Sequence, residues 1–229
     1  MKQIKLLGLA FMAIVAFTSI AAAAASAATI PSVLPTATAE KPVTATTSNG
    51  TSTFGNGILT LTSPKATGSQ TGNSAKLGSF TTTFKEVTDI LSENCTGLSN
   101  GTAGEITVNG TFHIRDYKSG TELKTASIQL IAPVHFSCGT VSVVVSGCVA
   151  GALTPENTLT KTLSLTLAKT GSDNNIITVL NEENTANELC QLLAKEGTNA
   201  TKLSAQTGTT TITGFKQSGA AVEVLVMPL

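Results

Sequence analysis

Threonine and serine alternate with large apolar residues along much of this chain, and a repeat of two is the period of a β-strand with one dry face and one wet face. In TLTKTLSLTLAK the odd positions Leu159, Leu163, Leu165 and Leu167 are apolar against threonine, lysine and serine. In GEITVNGTFHIRDY the even positions Ile106, Val108, Phe112 and Ile114 form the apolar face, and Thr107, Asn109, Thr111, His113 and Arg115 form the other. ILTLT at Ile58 to Thr62 and TITGF at Thr211 to Phe215 are shorter cases. YKSG, Tyr117 to Gly120, reads as the tight turn that joins HIRD to TELKTASIQLIA as a hairpin. Short half-buried strands with regular turn signals predict an all-β fold, a single antiparallel two-sheet β-sandwich. NEENTANELCQLLAKEG supports two readings. As a helix it aligns Ala186, Leu189, Leu192 and Leu193 between an Asn184 or Thr185 cap and a Gly197 stop; as a strand it puts Cys190 and Leu192 on one face. Strands on both sides favour the second.

The ends are organised differently. Lys2 and Lys5 precede an apolar run from Leu6 to Ile20 and a small-residue tract ending in Ala25-Ser26-Ala27, the order of a secretory signal peptide, residues 1–27, with an A-x-A cleavage site. A retained membrane anchor is the competing reading, opposed by Thr18, Ser19 and Ser26 and by the lack of a charged flank after the tract. Residues 28–53 hold Pro31, Pro35 and Pro42 among threonine, alanine and serine with almost no large apolar residue, so they read as a Thr/Pro/Ala-rich linker. The β-domain is then expected over 54–229. Removing residues 1–27 takes Lys2 and Lys5 from 14 basic residues and leaves 12 against 14 acidic. That balance is no footprint for nucleic acid or anionic lipid, and no membrane insertion is expected once the signal is cleaved.

Export would place the four cysteines, Cys95, Cys138, Cys148 and Cys190, in an oxidising compartment where an even number can all pair. The segment between Cys138 and Cys148 is GTVSVVVSG, β-branched in its middle and glycine at its ends. Extended, its ten steps at ~3.3 Å hold the two α-carbons about 30 Å apart, far beyond the ~4–7 Å that a disulfide spans. Two connectivities remain, Cys95–Cys138 with Cys148–Cys190, or Cys95–Cys148 with Cys138–Cys190; the first is favoured because its bridges do not cross in sequence.

The candidate chemistry is thin. His135 and Cys138 lie three apart, so a strand points them to opposite faces, and no paired spacing supplies further zinc ligands. GLSNG, Gly97 to Gly101, matches G-x-S-x-G, and Asp116 and His135 follow Ser99 in the chain order of an α/β-hydrolase triad. That motif needs a strand before the serine and a helix after it, whereas TAGEITVNG leads into a strand. GSDNN and NEEN lack calcium-loop spacing, and no phosphate-binding loop is present. N-x-S/T sequons begin at Asn49, Asn94, Asn100, Asn109 and Asn199, as a chain rich in asparagine and threonine produces. With no tryptophan and one tyrosine, an aromatic stacking platform for sugars or bases is not built.

VSGCVAGALTPENTLTKTLSLTL followed by VLNEENTANELC resembles stretches in a group of secreted β-rich bacterial proteins with no assigned function, over the C-terminal half. The resemblance implies export, a β-rich fold and a Cys148–Cys190 bridge. The function expected is a secreted, non-catalytic, extracellular or envelope-associated structural or binding protein, with no cofactor, no metal and an extracellular or envelope component as partner. The alternative is a secreted serine hydrolase using Ser99.

Overall fold

A computed structural model describes residues 32–35, 42–56, 58–73, 77–119, 121–167, 177–180 and 187–227. Among them there is no helix. After β1 (Ser32–Pro35) the chain builds eight wall elements, here called staves. The first is β2 (Val43–Asn49) continued by β3 (Ser52–Gly55), and the second is β4 (Thr60–Ser63) continued by β5 (Lys65–Asn73). The third is β6 (Leu77–Lys85) with β7 (Thr88–Asp89), and the fourth is β8 (Cys95–Gly97) with β9 (Ile106–Ser119). β10 (Glu122–Cys138) and β11 (Val141–Thr154) are single long staves. Past the short β12 (Leu159–Thr160), the seventh stave starts as β13 (Thr162–Leu167) and resumes as β16 (Leu192–Glu196), with the hairpin β14 (Ile177–Leu180) and β15 (Asn187–Cys190) between the two halves. β17 (Lys202–Gln217) is the eighth, followed by β18 (Ala220–Ala221) and β19 (Val224–Met227).

Each stave pairs antiparallel with its neighbours in sequence, and the eighth returns to the first. In the upper half the ring runs β2, β5, β6, β9, β10, β11, β13, β17 and back to β2. In the lower half it runs β3, β4, β7, β8, β10, β11, β16, β17 and back to β3. Its thinnest seam, β7 to β8, is made by the Thr88↔Asn94 bridge and the Cys95 N–H donating to the Val87 carbonyl at 2.9 Å. The expected two-sheet sandwich is therefore corrected to a closed up-and-down barrel. A sandwich strand and a barrel strand both present one dry face, so alternation alone does not separate them.

All eight staves are broken at one level, a waist. The breaks are Gly50-Thr51, Pro64, Glu86 (φ 55°), the loop 98–105, the register shift between Ile131 and Val134, Gly147 (φ 108°), the interval between β13 and β16, and Gly208 (φ 146°). Gly147 shows why glycine is required there: a Cβ would stand 2.2 Å from the Gln191 carbonyl oxygen, and the backbone lies where L-side chains are strained. Bulges bend and twist strands, and a ring of them lets one tall barrel re-aim its wall midway.

Side chains fill the lumen. Leu163, Leu165 and Leu167 of β13 are buried inward, as are Val143 and Val145 of β11 and Ile106 and Ile114 of β9. Phe80 lies opposite Gly110, and Gly78 opposite Phe112, so each ring covers a glycine on the next strand. Val224 and Val226 of β19, in a three-stranded sheet with β1 and β12, join the same core and cover the upper end. The outer face is hydroxylated. One row runs in register through Thr162, Thr213, Thr46, Ser69, Thr81 and Asn109, and the next through Ser164, Thr211, Ser48, Thr67, Thr83 and Thr107.

Three further expectations need correction. Residues 28–53 are not only linker, since they supply β1, β2 and the start of β3, and the domain does not begin at Phe54. β2 needs no large side chains because β5 and β17 satisfy its backbone on both edges. The turn expected at Tyr117–Gly120 lies later: Tyr117 pairs with Lys124 and Ser119 with Glu122 inside the hairpin. Cys190 and Leu192 are strand residues but not on one face: Leu192 is in the lumen core, and Cys190 joins Ala126, Ile128, Cys148 and Ala150 outside the wall. The switch occurs at Gln191, whose carbonyl accepts from Cys148 N–H at 2.8 Å. The signal segment 1–27, GSDNN and NEEN lie outside the described residues.

Candidate functional site

The disulfides are Cys95–Cys138 and Cys148–Cys190, with Cα–Cα distances of 4.2 and 5.4 Å. Cys138 is directly opposite Cys95 in the β8–β10 ladder, and both are buried in the lumen core. Cys148 and Cys190 pin the β14–β15 hairpin to the outside of the wall. The strand reading of TVSVVVS holds: Cys138 and Val141 flank a turn, and Val141 begins β11, which carries Cys148.

His135 is exposed on the outer face of β10, whereas Cys138 points inward and is oxidised. Among the described residues no three histidine, cysteine or carboxylate side chains converge in a group able to hold a metal. The Ser99, Asp116 and His135 set is not assembled. Ser99 lies in the exposed waist loop, beside Leu98, whose N–H donates to the His135 carbonyl at 2.9 Å. Asp116 is fully buried opposite Thr125 near the upper end. His135 is ten residues further along the same strand, which is about 30 Å at ~3.3 Å per residue.

What sequence reasoning missed is inside the barrel. A cavity of about 70 Å³ occupies the lower half, partly open to solvent and walled by Phe54, Leu61, Phe84, Val87, Ile106, Val108, Ile131, Val134, Phe136 and Val145. Ser52, Thr53, Thr62, Ser63 and Gln206 complete its lining. A second cavity of about 20 Å³ lies in the upper half, with a polar share supplied by Thr47, Asn49, Gln70, Thr82, Gln129 and Thr210. The two share Phe84, Val108, Ile131 and Gln206, so they meet at the waist. No charged side chain lines either one.

The lower end is closed by the Cys95–Cys138 bridge, by Val143 and by a polar clasp. Asn56 Nδ2 donates to Glu196 Oε1 at 2.6 Å, and Asn56 Oδ1 accepts from the Ile58 and Leu59 N–H groups at 3.0 and 2.9 Å. Both side chains are buried. At the upper rim, Glu156 accepts from the Thr125 N–H and pairs with Lys124, which also pairs with Glu122. The Glu122 carboxylate, by hydrogen bond and charge, raises the Lys124 pKa above its usual 10.5. Burial first, and the Glu156 charge second, raise the Tyr117 phenol above 10.0.

An eight-stranded barrel leaves an interior that side chains fill or that has room for one small ligand; here side chains fill most of it and leave the two cavities. Compared with protein-family models, curated proteins and solved structures, the chain matches none.

Proposed function

We propose that this is an exported, non-catalytic binding protein of the extracellular space or cell envelope, and that its site is the lumen of the barrel. The observation that carries the reading is the lower cavity: a concave, largely apolar space with a few polar groups at one side, the usual form of a small-molecule site. The signal-like N-terminus and two disulfides support an oxidising compartment. The wall supports an aqueous surround. Its outer face is threonine and serine and its inner face leucine, valine and phenylalanine, the reverse of a barrel that faces lipid.

Isolation of the protein from its producing cell under non-denaturing conditions, followed by native mass spectrometry and solvent extraction, tests the proposal. A non-covalent adduct near one per chain, released on unfolding, is the expected result. Protein that carries no adduct and whose melting temperature no apolar small molecule raises would overturn it.

A further inference from the structure

We infer that the lumen takes a small neutral amphiphile, with its apolar end in the lower cavity and a hydrogen-bonding, uncharged head at the waist. This deepens the binding reading above and rests on it. Three buried polar atoms of residues that line the two cavities have no hydrogen-bond partner among the described residues: Thr47 Oγ1, Asn49 Oδ1 and Ser52 Oγ. Thr47 and Ser52 are 8% and 4% exposed. Thr47 and Asn49 line the upper cavity and Ser52 the lower. All three lie on the first stave, Thr47 and Asn49 two apart on β2 and Ser52 just past the Gly50-Thr51 break. Buried polar atoms are almost always satisfied, so three left open beside a space point to something that enters the space.

The donor inventory selects the head group. Asn49 Oδ1 only accepts, while the Thr47 and Ser52 hydroxyls donate or accept, so the ligand must bring at least one donor. A hydroxyl or primary amide does this. A carboxylate does not: it would face Asn49 Oδ1 with acceptors alone and bury a charge where no cation lines the wall. Size selects the tail. About 70 Å³ with these walls admits a short alkyl or aryl end rather than a whole lipid. The competing occupant is water, for which the 20 Å³ upper cavity has room for about one molecule.

Calorimetric titration of the disulfide-intact protein tests this with n-alkanols of increasing length, the matched n-alkanoates at pH 7 and the matched alkyl methyl ethers. Alkanol affinity should rise about fourfold per buried methylene, the equivalent of ~0.8 kcal/mol, and level off once the chain outgrows the cavity. The alkanoate should bind at least tenfold more weakly. Asn49→Ala should weaken the alkanol several-fold and leave the ether, which brings no donor for Asn49 Oδ1, unchanged. Val108→Trp, which fills the lower cavity, should abolish binding by a protein that still melts cooperatively. Should that variant fail to fold, a wild-type crystal soaked with an ω-bromoalkanol should show bromine among Phe54, Leu61 and Val134. Equal affinity for alkanol, ether and alkanoate would overturn the neutral-head assignment while leaving a binding barrel. No binding by any of the three, with only ordered water at the waist, would overturn both readings.

Discussion

Cys95 and Cys138 stand directly opposite one another on adjacent strands and bridge inside the lumen, so this disulfide is a piece of the core as well as a crosslink. The other bridge is outside the wall and anchors a hairpin. Their sequence separations, 43 and 42, are nearly equal, so in the chain-entropy model each contributes about 4 kcal/mol as an upper figure. The difference must come from packing. Cys95→Ser with Cys138→Ser should destabilise the barrel by roughly 3–5 kcal/mol and loosen the lower end. Cys148→Ser with Cys190→Ser should fall nearer the low end of the ~2–5 kcal/mol range and chiefly release β14–β15 to hydrogen exchange. Urea titrations and exchange maps separate these outcomes. A non-reducing peptide map should show no Cys138–Cys148 peptide.

Asn56 holds two backbone N–H groups with one end of its amide and the buried Glu196 with the other. Asn56→Ala should cost roughly 3–5 kcal/mol, because it leaves a buried carboxylate without its donor. Glu196→Gln should cost less, since an amide can still accept from Asn56. Equal losses in chemical denaturation would show that the clasp is no more than packing.

Gly147 and Gly101 both have positive φ but differ in surroundings. Gly101 has open space where a Cβ would go, so Gly101→Ala should lose about 1 kcal/mol from backbone strain alone. Gly147→Ala meets the Gln191 carbonyl and should lose several times that, or fail to fold. Midpoints of thermal unfolding compare the pair.

The fold was legible in part. Alternation at Leu163, Leu165 and Leu167 and at Ile106, Val108, Phe112 and Ile114 identified wall strands, because a half-buried strand must repeat every two residues. Closure was not legible, because it depends on Thr213 meeting Thr46 across most of the chain, a pairing that no local pattern records. Nor was β2. Its inward residues are Ala45, Thr47 and Asn49, and small polar residues look like linker until Ile212 and Phe80 are seen to fill the lumen opposite. The cavity escaped for the same reason: Asn49, Ser52, Val108, Ile131 and Gln206 come from four staves. G-x-S-x-G was visible and carried no site, since nothing in the motif says that Asp116 lies at the other end of the barrel.

A serine-directed fluorophosphonate should therefore label wild type and Ser99→Ala to the same negligible extent. Stoichiometric labelling of wild type that Ser99→Ala abolishes would reinstate the hydrolase reading.

Alkaline stability should be set at the upper rim. The phenol of Tyr117, the chain's single tyrosine, keeps its proton above 10.0 in the folded barrel. From about pH 10 the folded state thus binds more protons than the unfolded state, and stability must fall as pH rises through the raised value. Lys124, raised above 10.5, acts in the same direction. The phenolate absorbance should titrate higher in native protein than in urea, and Tyr117→Phe should flatten part of the loss above about pH 10. A native phenol that titrates at or below the unfolded one would contradict this.

The two hydroxylated rows that run from β13 round to β9 carry no formally charged side chain, while Lys216 stands above them on β17, and carboxylates and ammonium groups pair at the upper rim, in Lys124 with Glu156, and at the waist, in Lys65 with Glu86. The molecule is thus ionic at its upper rim and neutral along those two rows. Copies that touch through those two rows meet no like charge in the contact, and added salt has nothing there to screen; copies approaching rim to rim feel both.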